Sequence, residues 1–436
     1  MKRITILLAV FGILTACQKG DEIHLTNQKE HQRLTSNISI EEAIQIAMEG
    51  ASMLEDSPIT RSHIARSVDR NNIKPYVKAA TRADEEADTL FYVVNYADSA
   101  GFALVSSSRI HGDPLLAVTE QGSYTPGEST ENEGFNYYIN MLTASRKDAA
   151  VPEVEAPIVD TTFHGFGPFE EFTYSDWDIY GPYIAVKWGQ SPIYNRYCYV
   201  DDDPTTHAPA GCVAVAIGQI MTYHQRPSSF AITFDETSRW GLQGTMQTPC
   251  WSAINQHVSV CYNSNCSTDE DIARLLREIG ERVDMSYSSG RSSANIDKAR
   301  SCFANMGYQT PQKQEYNSAV ICSELELNRP VYIRGCESSG DNGHAWVVDG
   351  YKSRTQIYRT YYIQADGSEL NWIYDETEYT YFHFNWGWHG DCNGYFQTGV
   401  FDTQEGFEYD SNSNPWLFNG NYQNKILIGI AASTNN

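Results

Sequence analysis

The chain has 436 residues, enough for two or three domains, of which 41% are hydrophobic, 12% aromatic and 20% charged. A formal net charge of −24 excludes the basic footprint that nucleic-acid binding requires, and it offers no electrostatic route to anionic lipid. In chain order, residues 1–16 read as an export signal: a basic start, Met1–Arg3, then an apolar stretch from Ile4 to Thr15 too short to anchor in a bilayer. The small residues of Leu14–Ala16 before Cys17 match a bacterial lipoprotein signal, in which Cys17 is acylated and becomes the first residue. An ordinary signal peptide cut near Ala16 is the alternative. Polar residues 17–36 then form a lipid-anchored tether, and the expected location is the outer membrane or cell surface, with membrane contact only through the lipid.

Ser39 followed by two acids and apolar residues at helical spacing predicts a helix over 39–48. Residues 55–88, charged and rich in Ser and Arg, read as a loose linker. Strands are predicted over 89–96 and 101–106, a third over 115–119, and a helix over 134–147. Together 37–147 make a small α+β domain. Residues 148–160, with two prolines and no periodicity, form a linker open to proteolysis. From 161 to 436 the pattern gives helices at 211–224, 268–283 and 294–306, then strands near 330–334, 344–350, 357–363, 379–385, 394–397 and 426–432. Helices first and strands later is again an α+β order.

Cys212 sits at the start of the 211–224 helix, where the helix dipole can favour a thiolate. His344 opens an apolar strand 132 residues downstream, far enough to be a spatial rather than a local partner. Such a Cys/His pair is the apparatus of nucleophilic thiol hydrolysis. The chain has no G-x-S-x-G elbow to support a serine alternative. Ten cysteines are present; setting Cys17 and Cys212 aside leaves Cys198, Cys250, Cys261, Cys266, Cys302, Cys322, Cys336 and Cys392, an even set that allows up to four disulfides, of open connectivity, or buried free thiols. No paired Cys-x2-Cys or His-x3-His pattern accompanies them, so zinc is not expected, nor is any other metal or cofactor.

Six blocks carry a resemblance: Trp188–Asn195, Ala210–His224, Val283–Tyr287, Arg329–Ile333, Gly343–Gly350 and Phe384–Gly390. In this order they resemble the streptopain family of papain-like bacterial cysteine proteases, peptidase family C10. Phe91–Asn95 with Gly101–Ser106 is similar to that family's inhibitory propeptide. The resemblance implies a papain-like catalytic domain over 161–436, with a helical part carrying the nucleophile and an antiparallel sheet carrying the histidine. It also implies an inhibitory propeptide over 37–147, a zymogen, and endopeptidase activity on protein or peptide substrates through a Cys212 thioester, with His344 as general base and then acid. By the papain-like pattern Asn385 would orient the imidazole and Trp386 would wall the site, with Trp388 beside it. Gln190 could complete an oxyanion hole with the Cys212 backbone N–H. Gly343 permits close substrate approach, and Ser289 and Ser292 are equal candidates for a substrate-contacting loop. Two other readings stay open: a non-catalytic inhibitor or binding protein, and a thiol acyltransferase or amidase on the same fold.

Overall fold

Helix α1 (Ile40–Glu55) begins at a reciprocal cap: the Ser39 Oγ accepts from the Glu42 N–H at 3.2 Å while Glu42 Oε2 accepts from the Ser39 N–H at 2.9 Å. This is one local device in a computed structural model that describes residues 37–55, 65–77, 89–109, 112–147, 165–201, 203–234, 242–257, 266–339, 343–364, 368–402 and 422–433. The expected signal (1–16), the expected tether with Cys17 (17–36) and the expected linker (148–160) lie outside the described residues. Among the described residues no helix is long and apolar enough to cross a membrane.

Among the described residues twelve strands join in one sheet, with every pairing antiparallel. They are β1 (Val68–Val77), β2 (Thr89–Tyr96), β3 (Phe102–Ser106), β4 (Leu115–Thr119), β5 (Gly165–Tyr174), β6 (Asp178–Tyr180), β7 (Gln312–Glu315), β8 (Val331–Glu337), β9 (His344–Gln364), β10 (Glu369–Asn385), β11 (Gly394–Gln397) and β12 (Tyr422–Ile428). The order is β1-β2-β3-β4-β11-β10-β9-β8-β12-β7, with β5 and β6 also paired to β9. β3 and β4 are buried at every residue because α1 covers one face and α2 (Glu133–Lys147) the other. That is why their sequences read as unbroken apolar runs rather than alternating ones.

The segment expected to be a loose linker, 55–88, contains β1. Its polar residues and Pro75 hid it, and these suit an edge strand whose outer side meets water. The two strands expected at 344–350 and 357–363 are one 21-residue strand, β9, whose polar middle is paired along β10. Two helices escaped the sequence reading: α4 (Trp251–Gln256) and α7 (Ser318–Glu326), the latter capped by Asn317 Oδ1 accepting from the Val320 N–H at 2.9 Å. Between them lie α5 (Ser267–Arg282) and α6 (Ile296–Asn305). α3 (Cys212–His224) is buried throughout residues 212–222 and forms the centre of the helical half.

The expected disulfides do not form among the described residues: all eight described cysteines are free thiols. Several are engaged where they stand, Cys336 accepting from Arg334 at 3.2 Å and Cys392 lying 3.7 Å from Asp391 Oδ2. Cys261 lies outside the described residues.

Residues 37–147 share the sheet with the rest of the chain, β4 pairing with β11 through Thr119↔Gly394, Val118↔Tyr395 and Ala117↔Phe396. Polar contacts reinforce this seam. Lys352 Nζ, fully buried, donates to the Met53 carbonyl at the end of α1 (2.6 Å). Arg354 pairs with buried Asp113 at 3.0 Å. Glu120 meets both Lys187 (2.7 Å) and His383 (3.3 Å), and His383 also meets Asp349 at 2.6 Å.

Burial disfavours the charged form of His383, but the flanking Asp349 and Glu120 outweigh it and raise its pKa to about 9. Burial likewise opposes ionisation of Glu120, yet His383 and Lys187 bring its pKa down to about 2. The raised histidine contributes stability that is fully present below its ordinary value of 6.5 and lost as pH climbs through 9; the depressed carboxylate contributes above 4.5 and loses it as pH falls through 2. Glu120→Gln should therefore cost about 3 kcal/mol near pH 6, by leaving His383 and Lys187 short of a buried counter-charge. A denaturant midpoint at that pH unchanged from wild type would refute the assignment.

Candidate active site

Gly211 precedes α3 with φ 92° and ψ 134°, a left-handed backbone where a Cβ would lie 2.8 Å from Met285 Cε. Glycine is required there both by conformation and by space. No side chain caps α3, so the N–H groups of its first turn remain available to charge at Cys212. The loop before Cys212 is held from two sides. Ser292 Oγ donates to the Pro209 carbonyl at 2.7 Å, and the Ala210 N–H donates to the Gln190 carbonyl at 2.9 Å.

His344 is the first residue of β9, paired with Gly335 of β8. Its side chain and that of Cys212 line one pocket of about 450 Å³ with Val213, Arg291, Ser292, Arg334 and Gly343. The imidazole packs among three indoles, with ring centroids 6.3 Å from Trp346 and 6.5 Å from Trp386 and Trp388. Its Nε2 lies 3.0 Å from the Trp386 carbonyl. A carbonyl only accepts, so Nε2 carries the proton and Nδ1 keeps its lone pair. Nδ1 is buried and has no hydrogen-bond partner. One main-chain contact thus fixes the ring and its tautomer. That carbonyl is itself fixed, because the Trp386 N–H donates to Asn393 Oδ1 at 3.0 Å and Nε1 to the Cys392 carbonyl at 3.0 Å.

Asn385 does not orient His344 in this structure. Its Oδ1 accepts from Gln219 of α3 at 2.8 Å and its Nδ2 donates to the Val186 carbonyl at 2.9 Å, so it ties α3 to the sheet. Ser292 lies at the pocket, whereas Ser289 is exposed and outside the lining; its loop turns the side chain to solvent. Gly343 lines the pocket, its carbonyl 3.4 Å from Arg291 Nη2. Gln190 is buried and joined through its main chain to the loop before Cys212. Trp346 was missed as a site residue, although period 2 along the strand puts it on the same face as His344.

The first turn of α2 lies directly on this apparatus. A Cβ at Gly134 would sit 2.5 Å from His344 Cδ2 and 2.5 Å from Trp386 Cε3. Asn132 Oδ1 caps this turn by accepting from the Phe135 N–H at 3.0 Å, and its Nδ2 donates to the Asp391 carbonyl at 2.8 Å. The expected lowering of the Cys212 pKa by the helix terminus is reversed here. Burial pushes the thiol up and Glu133 of α2 adds to it, against opposing effects of the Ala345 main chain and Arg334. Burial also lowers the His344 pKa, despite the Trp386 carbonyl and Glu133. Burial thus works against the charged form of both groups.

A thiol at an uncapped helix start, sharing a pocket with an imidazole whose proton-accepting nitrogen is unengaged, is the equipment of a cysteine peptidase. Residues 188–396 match the Peptidase C10 family model. It is 24% identical over 388 residues to the thiol protease/hemagglutinin PrtT of Porphyromonas gingivalis, covering 79% of this chain but only 39% of that protein. It is 25% identical over 333 residues to streptopain of Streptococcus pyogenes, covering 70% of this chain and 73% of streptopain. Among solved structures, a prointerpain A fragment of Prevotella intermedia is similar with a TM-score of 0.49 at 18% identity, covering 81% of this chain and 98% of that one. Active interpain A matches with a TM-score of 0.37 at 19% identity, covering 58% and 96%.

Proposed function

We propose that the chain is the exported, lipid-anchored zymogen of a cysteine endopeptidase, silenced by residues 37–147 and activated when the linker near 148–160 is cut. The seating of α2 at Gly134 against both His344 and Trp386 carries this reading. A substrate carbonyl cannot reach a base whose ring is already in contact with another segment. The polar seam supports it further: Glu120, Asp113 and the Met53 carbonyl meet partners that water can solvate once the segment leaves.

After release, His344 Nδ1 takes the Cys212 thiol proton and sulfur bonds to the substrate carbonyl carbon. The Cys212 N–H and the Gln190 amide stabilise the oxyanion. The intermediate collapses by breaking the C–N bond, and the imidazolium passes its proton to the departing amine, leaving a thioester. Water, deprotonated by His344, attacks the thioester and returns the thiol with a carboxylic acid product. The Trp386 carbonyl holds the tautomer throughout.

The test follows the sign of the pKa shifts. Removing α2 hydrates the thiol and takes away Glu133, both of which lower the Cys212 pKa, while hydration of His344 raises its own. The pH profile for alkylation of Cys212 should therefore move to lower pH on maturation. N-terminal sequencing of the same active form should place the cut between residues 147 and 165, in the stretch that joins α2 to β5. A profile that stays put, or moves upward, would sink the zymogen reading. Ammonia release without peptide hydrolysis would instead favour an amidase.

A further inference from the structure

A second cluster of chemistry-bearing side chains meets where α4 ends and α5 begins. His257 follows α4 directly, its N–H closing that helix on the Ala253 and Ile254 carbonyls at 3.0 and 3.1 Å. Cys266 is the residue before α5, and its side chain makes no capping hydrogen bond. Asp269 lies in the first turn of α5 with its side chain wholly buried. One ligating atom from each of the three lies within 4.8 Å of the other two. We propose that His257, Cys266 and Asp269 bind a divalent cation of the zinc class, which pins the end of α4 to the start of α5.

The independent observation is the state of Asp269. Its Oδ1 is 2.6 Å from His257 Nε2, but its Oδ2 is buried with no hydrogen-bond partner. A buried carboxylate oxygen left unsatisfied costs free energy unless a proton donor or a metal meets it. The cluster supplies what a metal needs. A thiolate and a carboxylate carry two negative charges, and a divalent ion cancels both, so the filled site is neutral. The donor set selects the ion: sulfur with imidazole nitrogen suits zinc, whereas calcium and magnesium demand oxygen. Zinc lies about 2.0–2.3 Å from such ligands, which sets tetrahedral edges of roughly 3.3–3.8 Å, within reach of small rotamer changes here. Three protein ligands leave the fourth position to water. The metal takes the place of the Cys266 thiol proton, which is released to solvent on binding.

The sequence pattern pointed away from zinc because it was judged on cysteine knuckles. The fold replaces the missing knuckle with a histidine from one helix end and an aspartate from the next. The site would brace α3, since Asn255 of α4 donates to the Thr222 carbonyl of α3 at 3.0 Å and Leu276 and Ile279 of α5 pack against Gly218.

The experiment uses the full chain carrying Cys212→Ala, which removes the catalytic thiol as a competing ligand, kept reduced by a phosphine. After dialysis against zinc and then against metal-free buffer, about one ion per chain should remain by elemental mass spectrometry. Cobalt in place of zinc should give a thiolate charge-transfer band and tetrahedral d–d bands. Bound zinc should slow alkylation of Cys266 but not of exposed Cys250. Cys266→Ser, a partly exposed change that leaves the fold intact, should abolish the cobalt charge-transfer band and weaken retention more than tenfold. Asp269→Asn, isosteric, should weaken it too. No retained ion, or a cobalt spectrum indifferent to Cys266→Ser, would overturn the site and leave Asp269 as the charge partner of His257 alone.

Discussion

Replacing Cys212 by alanine is expected to abolish both peptide hydrolysis and self-maturation, with a loss of roughly 10⁴-fold or more in kcat/KM. The size follows from the chemistry. Without sulfur no thioester forms, and His344 is left with only a water to activate, in a pocket shaped for a thiol at a helix start. The loss should not be one of folding. Cys212 lines a pocket, and trimming one sulfur atom there is worth about 1 kcal/mol of packing. The measurement is casein hydrolysis alongside the electrophoretic mobility of the purified chain: wild type should shorten on storage and Cys212→Ala should stay at full length. A thiol-directed epoxide should label only the wild type after maturation. Cys250→Ser removes an exposed thiol and serves as the control for general loss of cysteine. Persistent hydrolysis by Cys212→Ala would remove the basis of the proposed mechanism.

Gly134→Leu should have the second largest effect, and in the opposite sense. The helix start at Gly134 meets His344 and Trp386 so closely that even a single Cβ would overlap both rings. Neither ring can yield easily. The Trp386 indole is locked to the Cys392 carbonyl, and the imidazole is boxed among Trp346, Trp386 and Trp388. The first turn of α2 must therefore lift. Overpacking of this kind costs about 1–3 kcal/mol, which raises the population of the opened form roughly 5- to 150-fold. Epoxide labelling of the uncut chain should rise by that factor, and maturation should be faster. Asn140→Leu, on the exposed side of the same helix, should leave labelling where it was. Unchanged labelling in a folded Gly134→Leu protein would show that α2 does not guard the site.

The local signals were strong where the chain's own chemistry was local. Ser39 and Glu42 announce the start of α1, the apolar periodicity marks α3, α5 and α6, and a glycine before Cys212 is demanded by a positive φ. Cys212 and His344 stood out as candidates because few residue types can act as nucleophile and base, and the fold brings both to one pocket. β1 was obscured because an edge strand is selected for polarity, the same composition that marks a linker.

The sequence by itself determined which residues could do chemistry: Cys212, His344 and their neighbours in the N-W-G-W stretch at 385–388. Only the tertiary structure decided what they do together. The partner of His344 is the carbonyl of Trp386, and a main-chain carbonyl has no residue type by which a sequence could announce it. Asn385, with a side chain that seemed suited to that task, is committed to Gln219 and Val186 instead. The direction of the thiol's shift was likewise out of reach. A helix terminus favours the thiolate from within a few residues, but burial opposes it through segments far away in the chain, Glu133 and α2 among them, and here burial wins. The cysteine count could not foretell free thiols either, since an even number permits disulfides but only proximity in the fold can form them.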